Sequence, residues 1–191
     1  MIEYVQARMK VISTSHKGFR MAVLKPFWYN KQKRKRGTIM KTLVVYFSAE
    51  GTTAALAEKF AKEIIADTFE IRPQKLYTKS DLNWKNPMSR CNKEKFGKKD
   101  VPVEGTVENF EAYDEVLIGF PIWYGCAPNV VNTFCKAYDW TGKKVAAFAT
   151  SGGSGIGKTR EKLQPYVNGA EVLDAVRVAD IDELKAWAEK L

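Results

Sequence analysis

Residues 42–65 read TLVVYFSAEGTTAALAEKFAKEII. Leu43, Val44, Val45, Tyr46 and Phe47 form an apolar run that stops at Ser48-Ala49-Glu50-Gly51-Thr52-Thr53, and Leu56, Phe60 and Ile64 follow at i, i+4 and i+8. An unbroken apolar run closed by a turn signal predicts a buried parallel strand, and the four-residue spacing predicts an amphipathic helix. The loop between them would place free backbone N–H groups at a helix N-terminus, where the helix dipole favours an anion. Gly51 permits close backbone approach, and Ser48, Thr52 and Thr53 add hydroxyls. No Lys or Arg lies in the loop, so the anion it suits is a phosphate held by neutral donors. The same residues would also serve an ordinary capped strand-to-helix turn, because Ser and Thr are good N-caps.

The strand-then-helix pattern repeats outward from this segment. Further strands are expected over 68–72, 115–120, 144–150 and 172–178. Helices are expected over 130–137, 160–166 and 181–191, the last beginning near Asp180 and Asp182, with a short helix over 108–113. Residues 75–105 read as a long polar connection. Such alternation predicts a doubly wound parallel α/β sheet, in which ligands lie beyond the carboxyl ends of the strands. Three loops of unusual composition leave those ends, 48–53, 121–125 and 150–157, and this topology makes them converge. The second presents Trp123 and Tyr124 between Pro121-Ile122 and Gly125. Aromatic residues usually pack inward, but here a flat ring could stack on them. The third, Thr150-Ser151-Gly152-Gly153-Ser154 and onward, is glycine-rich enough for a ring to lie against its backbone. A phosphate pocket, an aromatic wall and a backbone-lined slot together suit flavin mononucleotide (FMN).

These residues carry a resemblance. Ser48-Ala49-Glu50-Gly51-Thr52-Thr53 resembles the phosphate loop of flavodoxins. Residues 119–125, GFPIWYG, with Ala127-Pro128 and Thr133-Phe134, are similar to the signature of a bacterial flavodoxin-like family, as are Asp81-Leu82-Asn83-Trp84, Ser89-Arg90 and residues 150–154, TSGGS. The resemblance covers residues 41–191. It implies a flavodoxin-like, doubly wound five-stranded parallel sheet in the order 2-1-3-4-5, with non-covalent FMN and redox chemistry. It places Ser48, Gly51, Thr52 and Thr53 on the FMN phosphate, with Glu50 contributing only its N–H. Pro121, Ile122, Trp123, Tyr124 and Gly125 would flank the flavin ring, and Thr150, Ser151, Gly152, Gly153 and Ser154 would line its other edge. It also makes the peptide at Gly125 a candidate to rearrange when the flavin is reduced. Glu50 departs from the family's Thr or Ser, and a carboxylate beside a phosphate repels it, so its side chain should turn outward.

The chain's net charge of +9 is confined to its start. Residues 1–40 hold ten Lys/Arg and one acid, Glu3, whereas residues 41–191 hold 21 of each sign. The neutral domain gives no electrostatic reason to bind nucleic acid or a membrane. Residues 1–39 are expected to be a basic extension outside the domain. It reads as a tether to an acidic surface, as an unstructured tail, or as sequence preceding a true start at Met40. The third reading is preferred, because the segment lacks a core-forming pattern and Met40 directly precedes the first strand. Cys91, Cys126 and Cys135 lack metal-ligand spacing and His16 is the one histidine, so no metal site is expected. Sparse, odd cysteines and the lack of an apolar run of about 18 residues fit a cytoplasmic protein.

Residues 152–159, GGSGIGKT, satisfy the P-loop pattern between a strand and a helix. Nucleotide triphosphate hydrolysis is rejected, since few residues follow and the 116–120 run has no terminal Asp for magnesium. Two redox roles remain: an electron carrier served by a redox partner protein, and an NAD(P)H-dependent quinone-type reductase, as a monomer or a dimer. No side chain stands out as a catalytic acid or base. Cys126 reads as a buried thiol, and Arg90 with Glu94 as a surface ion pair at helical spacing.

Overall fold

The computed structural model describes residues 34–35 and 38–191. The expectation for the N-terminal extension otherwise falls outside the described residues. At its end, the backbone of Arg34–Lys35 pairs antiparallel with Thr38–Ile39.

Five parallel strands form one sheet: β1 (Thr42–Tyr46), β2 (Asp67–Glu70), β3 (Glu115–Pro121), β4 (Lys144–Thr150) and β5 (Val172–Arg177), in the order β2-β1-β3-β4-β5. The helices are α1 (Thr52–Ile64), α2 (Arg90–Phe96), α3 (Asn129–Lys136), α4 (Thr159–Leu163) and α5 (Ile181–Ala188). This is the fold class and strand order that the loop motifs imply.

The sheet is covered on both faces because its central strands are apolar on both faces, with side chains alternating between them. Leu43, Val45 and Phe47 pack in one layer with Ile118, Phe120 and the α3 residues Val130, Val131 and Phe134. Val44 and Tyr46 pack in the other with Ala57 and Phe60 of α1 and Leu184 and Trp187 of α5. Gly119 sits where β3 crosses Phe148 of β4; a Cβ there would lie 2.4 Å from the Phe148 ring. Helix α5 starts at Asp180, whose Oδ1 accepts the N–H groups of Asp182 and Glu183 at 2.9 Å each, the capping arrangement expected of Asp at an N-cap.

The boundaries move where side-chain pattern does not decide them. Strand β2 ends at Glu70, and Arg72–Pro73 instead pairs antiparallel with Val103–Glu104. The expected helix over 108–113 is a single 3-10 turn, Phe110–Ala112. The expected helix over 160–166 is α4 followed by the 3-10 turn Gln164–Tyr166, the change of pitch falling at Pro165, as expected of a residue that cannot donate to the helical ladder. The connection 75–105 is not all loop: it contains α2 and closes on the Arg72–Pro73 ribbon, where the Gln74 N–H donates to the Pro102 carbonyl at 2.9 Å. No described helix is long and apolar enough to cross a membrane.

Candidate functional site

The three loops meet at the carboxyl edge of β1, β3 and β4, which are adjacent strands. Two hydrogen bonds tie them together. The hydroxyls of Thr53 and Thr150, both buried, lie 2.8 Å apart, joining the first loop to the third. The Ile122 N–H donates to the Thr150 carbonyl at 2.9 Å, joining the second to the third. A Cβ on Gly157 would sit 3.5 Å from the Gly125 carbonyl oxygen, so the second and third loops also touch at their tips.

The first loop is built around Gly51, which holds φ +87° as the N-cap of α1. That left-handed backbone suits glycine. It turns the chain so that the first N–H groups of α1 face outward from the strand end with no side chain capping them and no acid in the first turn. Ser48 is half-buried, and Thr52 and Glu50 are exposed. The Thr53–Thr150 pair has a useful chemical property. Each hydroxyl carries one proton, and the bond between them uses only one. The other proton is available to a further acceptor at this spot.

The second loop is a tight two-residue turn. Trp123 and Cys126 exchange backbone hydrogen bonds at 3.0 and 3.1 Å, and the residues between them, Tyr124 and Gly125, have φ of 53° and 68°. Positive φ at both central positions marks a type I′ turn. It suits Gly125 and costs Tyr124 about 1 kcal/mol. Tyr124 is held there from the side: its hydroxyl donates to Asn92 Oδ1 at 2.6 Å and lies 3.2 Å from Cys91 Sγ, and its ring meets Phe96 at 5.7 Å. Burial first, and the Cys91 contact second, hold this hydroxyl above the usual tyrosine range. Trp123 is half-buried and packs edge-on against Phe47 at 5.5 Å and Tyr77 at 5.2 Å. It therefore serves the core with part of its surface.

In the third loop, Ser151 Oγ accepts the N–H groups of Gly153 at 3.1 Å and Ser154 at 2.7 Å. Those two donors are committed to shaping the loop. Beside Gly152, Gly153 and Gly155 there is open space. Lys158, the P-loop lysine by pattern, is an exposed residue preceding a helix of only five residues.

Sequence reasoning missed the wall behind the second loop, supplied by α2 and Tyr77. Arg90 and Glu94 do pair, Nε to Oε1 at 2.5 Å, but their side chains are only 18% and 12% exposed, so this is not a surface pair. The Arg90 guanidinium lies 4.1 Å from the centre of the Tyr77 ring and donates to the Lys75 carbonyl at 2.7 Å. The Tyr77 hydroxyl donates to Glu94 Oε2 at 2.6 Å, and burial together with that bond raises its pKa. Cys126 is buried, as expected, with the Lys95 ammonium 2.6 Å from its sulfur. The i, i+4 spacing of Arg90 and Glu94 and the Ser89-Arg90 motif pointed toward this wall. Nothing in the pattern marked Asn92 or Tyr77. Among the described residues no cluster of side chains could hold a metal ion.

Comparison with known proteins follows the same boundaries. The family model described as Flavodoxin matches residues 41–191. A candidate flavoprotein from Bacteroides eggerthii DSM 20697 is 38% identical over 78% of this chain and 96% of its own, with a TM-score of 0.73. A second, from Bacteroides uniformis ATCC 8492, is 37% identical over 78% and 98%, with a TM-score of 0.72. A flavoprotein from Lactobacillus acidophilus NCFM, solved in complex with FMN, is 26% identical over 78% and 99%, with a TM-score of 0.60. None of the curated proteins matches.

Proposed function

The chain belongs to the flavodoxin family, and we propose that it binds FMN non-covalently at the three converging loops and carries electrons between redox partners. The observation that carries the reading is the Thr53–Thr150 hydroxyl pair beside the uncapped start of α1. The residues fit the cofactor. The first loop offers neutral donors and no cation, which suits a phosphate (the helix dipole supplies the favourable field). The half-buried Trp123 and Tyr124 and the open space beside Gly152 and Gly153 suit a flat ring.

In this reading Ser48, Gly51, Thr52 and Thr53 hold the phosphate, with the Glu50 side chain turned to solvent. Thr150 orients the Thr53 hydroxyl from behind. Pro121, Ile122, Trp123, Tyr124 and Gly125 flank the ring on one side, and Ser151, Gly152, Gly153 and Ser154 border the other edge. FMN, when bound, supplies one- and two-electron redox chemistry that no side chain here can perform. The protein binds, orients and partly excludes water. The strained Tyr124-Gly125 turn, braced by Asn92 and Phe96, fixes the position of the second loop. Electron transfer through the flavin requires no side-chain acid or base.

Mixing the yellow holoprotein anaerobically with NADH or NADPH tests the carrier role. A carrier keeps its colour with either nucleotide and bleaches when reduced by dithionite. Rapid bleaching by NADH or NADPH would instead make the protein a nicotinamide-dependent reductase.

A further inference from the structure

Segment 75–99 concentrates charge that the rest of the domain lacks. It holds eight Lys/Arg and two acids, whereas the remainder of residues 41–191 holds 13 Lys/Arg and 19 acids, so a net +6 faces a net −6. Lys75, Lys79, Lys85, Lys93, Lys98 and Lys99 are exposed, and among the described residues none of them forms an ion pair. The segment's two acids are already committed: Glu94 to Arg90 and Tyr77, and Asp81 to the N–H and hydroxyl of Thr78. Lys75, Lys93 and Lys99 frame a hollow of about 370 Å³.

Apolar side chains are interleaved with these cations. Leu76, Trp84, Met88 and Phe96 are 62%, 66%, 67% and 76% exposed, and they are four of the six large apolar side chains that stand exposed among the described residues. Single exposed apolar residues need no explanation, but their gathering in one cationic segment does. Apolar anchors among charged residues are the anatomy of a protein interface. The patch is also continuous with the candidate site, because Phe96 touches Tyr124 of the second loop.

Resting on the FMN reading above, we infer that segment 75–99 is the docking surface for an acidic electron-carrier protein. Unpaired lysines would steer such a partner and repel a basic one. Trp84, Met88 and Phe96 would then bury against it, beside the loop that flanks the flavin. A protein is favoured over an anionic membrane because the patch borders the place where an electron must enter or leave.

The probe is an acidic plant-type [2Fe–2S] ferredoxin, titrated into the full-length holoprotein at about 0.01 M and about 0.3 M salt. Flavin content is measured first, so failure of the FMN reading shows as colourless protein before any partner is added. Ferredoxin should bind at low salt and weaken roughly tenfold or more at high salt. Lys93→Glu/Lys99→Glu should weaken it roughly tenfold with flavin content unchanged, as should Trp84→Ala/Met88→Ala, whose side chains are exposed and lie outside the flavin loops, and basic cytochrome c should not compete. The inference is overturned if wild type fails to bind ferredoxin, if both variants bind it as wild type does, or if the patch instead captures phosphatidylserine vesicles or a second copy of this chain.

Discussion

Replacing Thr53 with valine removes one hydroxyl and nearly preserves shape, and it separates two roles of the buried threonine pair. The hydroxyl lies 2.8 Å from that of Thr150, with Thr53 1% and Thr150 7% exposed. Without it, Thr150 Oγ1 loses its partner, and a buried polar group left unsatisfied costs about 1–3 kcal/mol. The apoprotein should therefore be less stable by that amount in urea unfolding. If the spare proton of the pair reaches a phosphate oxygen, FMN loses a charge-assisted hydrogen bond as well, worth about 1.5–3 kcal/mol. That converts to a Kd raised roughly 10- to 150-fold, read by quenching of flavin fluorescence during titration of the apoprotein. Lower stability with a Kd within a factor of about two of wild type would refute the reasoning: the pair would then be a structural tie between loops and not part of the phosphate site.

Three further outcomes follow from the structure. Gly119→Ala drives a methyl into the Phe148 ring and should cost about 1–3 kcal/mol, visible as a lowered Tm. Arg90→Met strands Glu94 in its buried position and should cost about 3 kcal/mol or more, whereas Arg90→Met/Glu94→Met should recover much of the loss; urea unfolding of both variants checks this. Tyr46 is buried and Tyr77 half-buried, and desolvation together with a hydrogen bond donated to a carboxylate, of Glu58 and Glu94 respectively, raises both pKa values. Their contribution is complete below the usual tyrosine value of about 10 and is lost as pH rises above it, since the unfolded chain ionises first. Stability measured from pH 8 to 11 should fall above about pH 10, less steeply in Tyr77→Phe.

The parts of the fold that sequence made legible are those in which burial dictates residue type. Parallel strands covered on both faces must be apolar without interruption, and 43–47, 116–120 and 145–149 are. Each falls within a residue or two of its observed strand. The loops 48–53, 121–125 and 150–157 were legible because glycine, hydroxyl and aromatic residues are concentrated there, and the sheet topology brings them together. Segment 75–105 was not legible. Its order comes from side-chain contacts far apart in sequence, such as Asn129 donating to the Glu94 and Lys99 carbonyls and Tyr124 reaching Asn92, and such pairings leave no periodicity. Helix α2 is also short and lysine-rich, so no apolar face announces it. The inward packing of part of Trp123 stood as an open alternative in the sequence; of the partners it finds, Phe47 ends the legible first strand, whereas Tyr77 lies in the polar connection.

Calorimetric titration of the apoprotein with FMN and with riboflavin, side by side, tests the central claim most directly. Uptake of one FMN per chain, with riboflavin bound roughly 100-fold more weakly for want of the phosphate, is the predicted result. Equal affinity for the two, or no uptake of FMN, would contradict it.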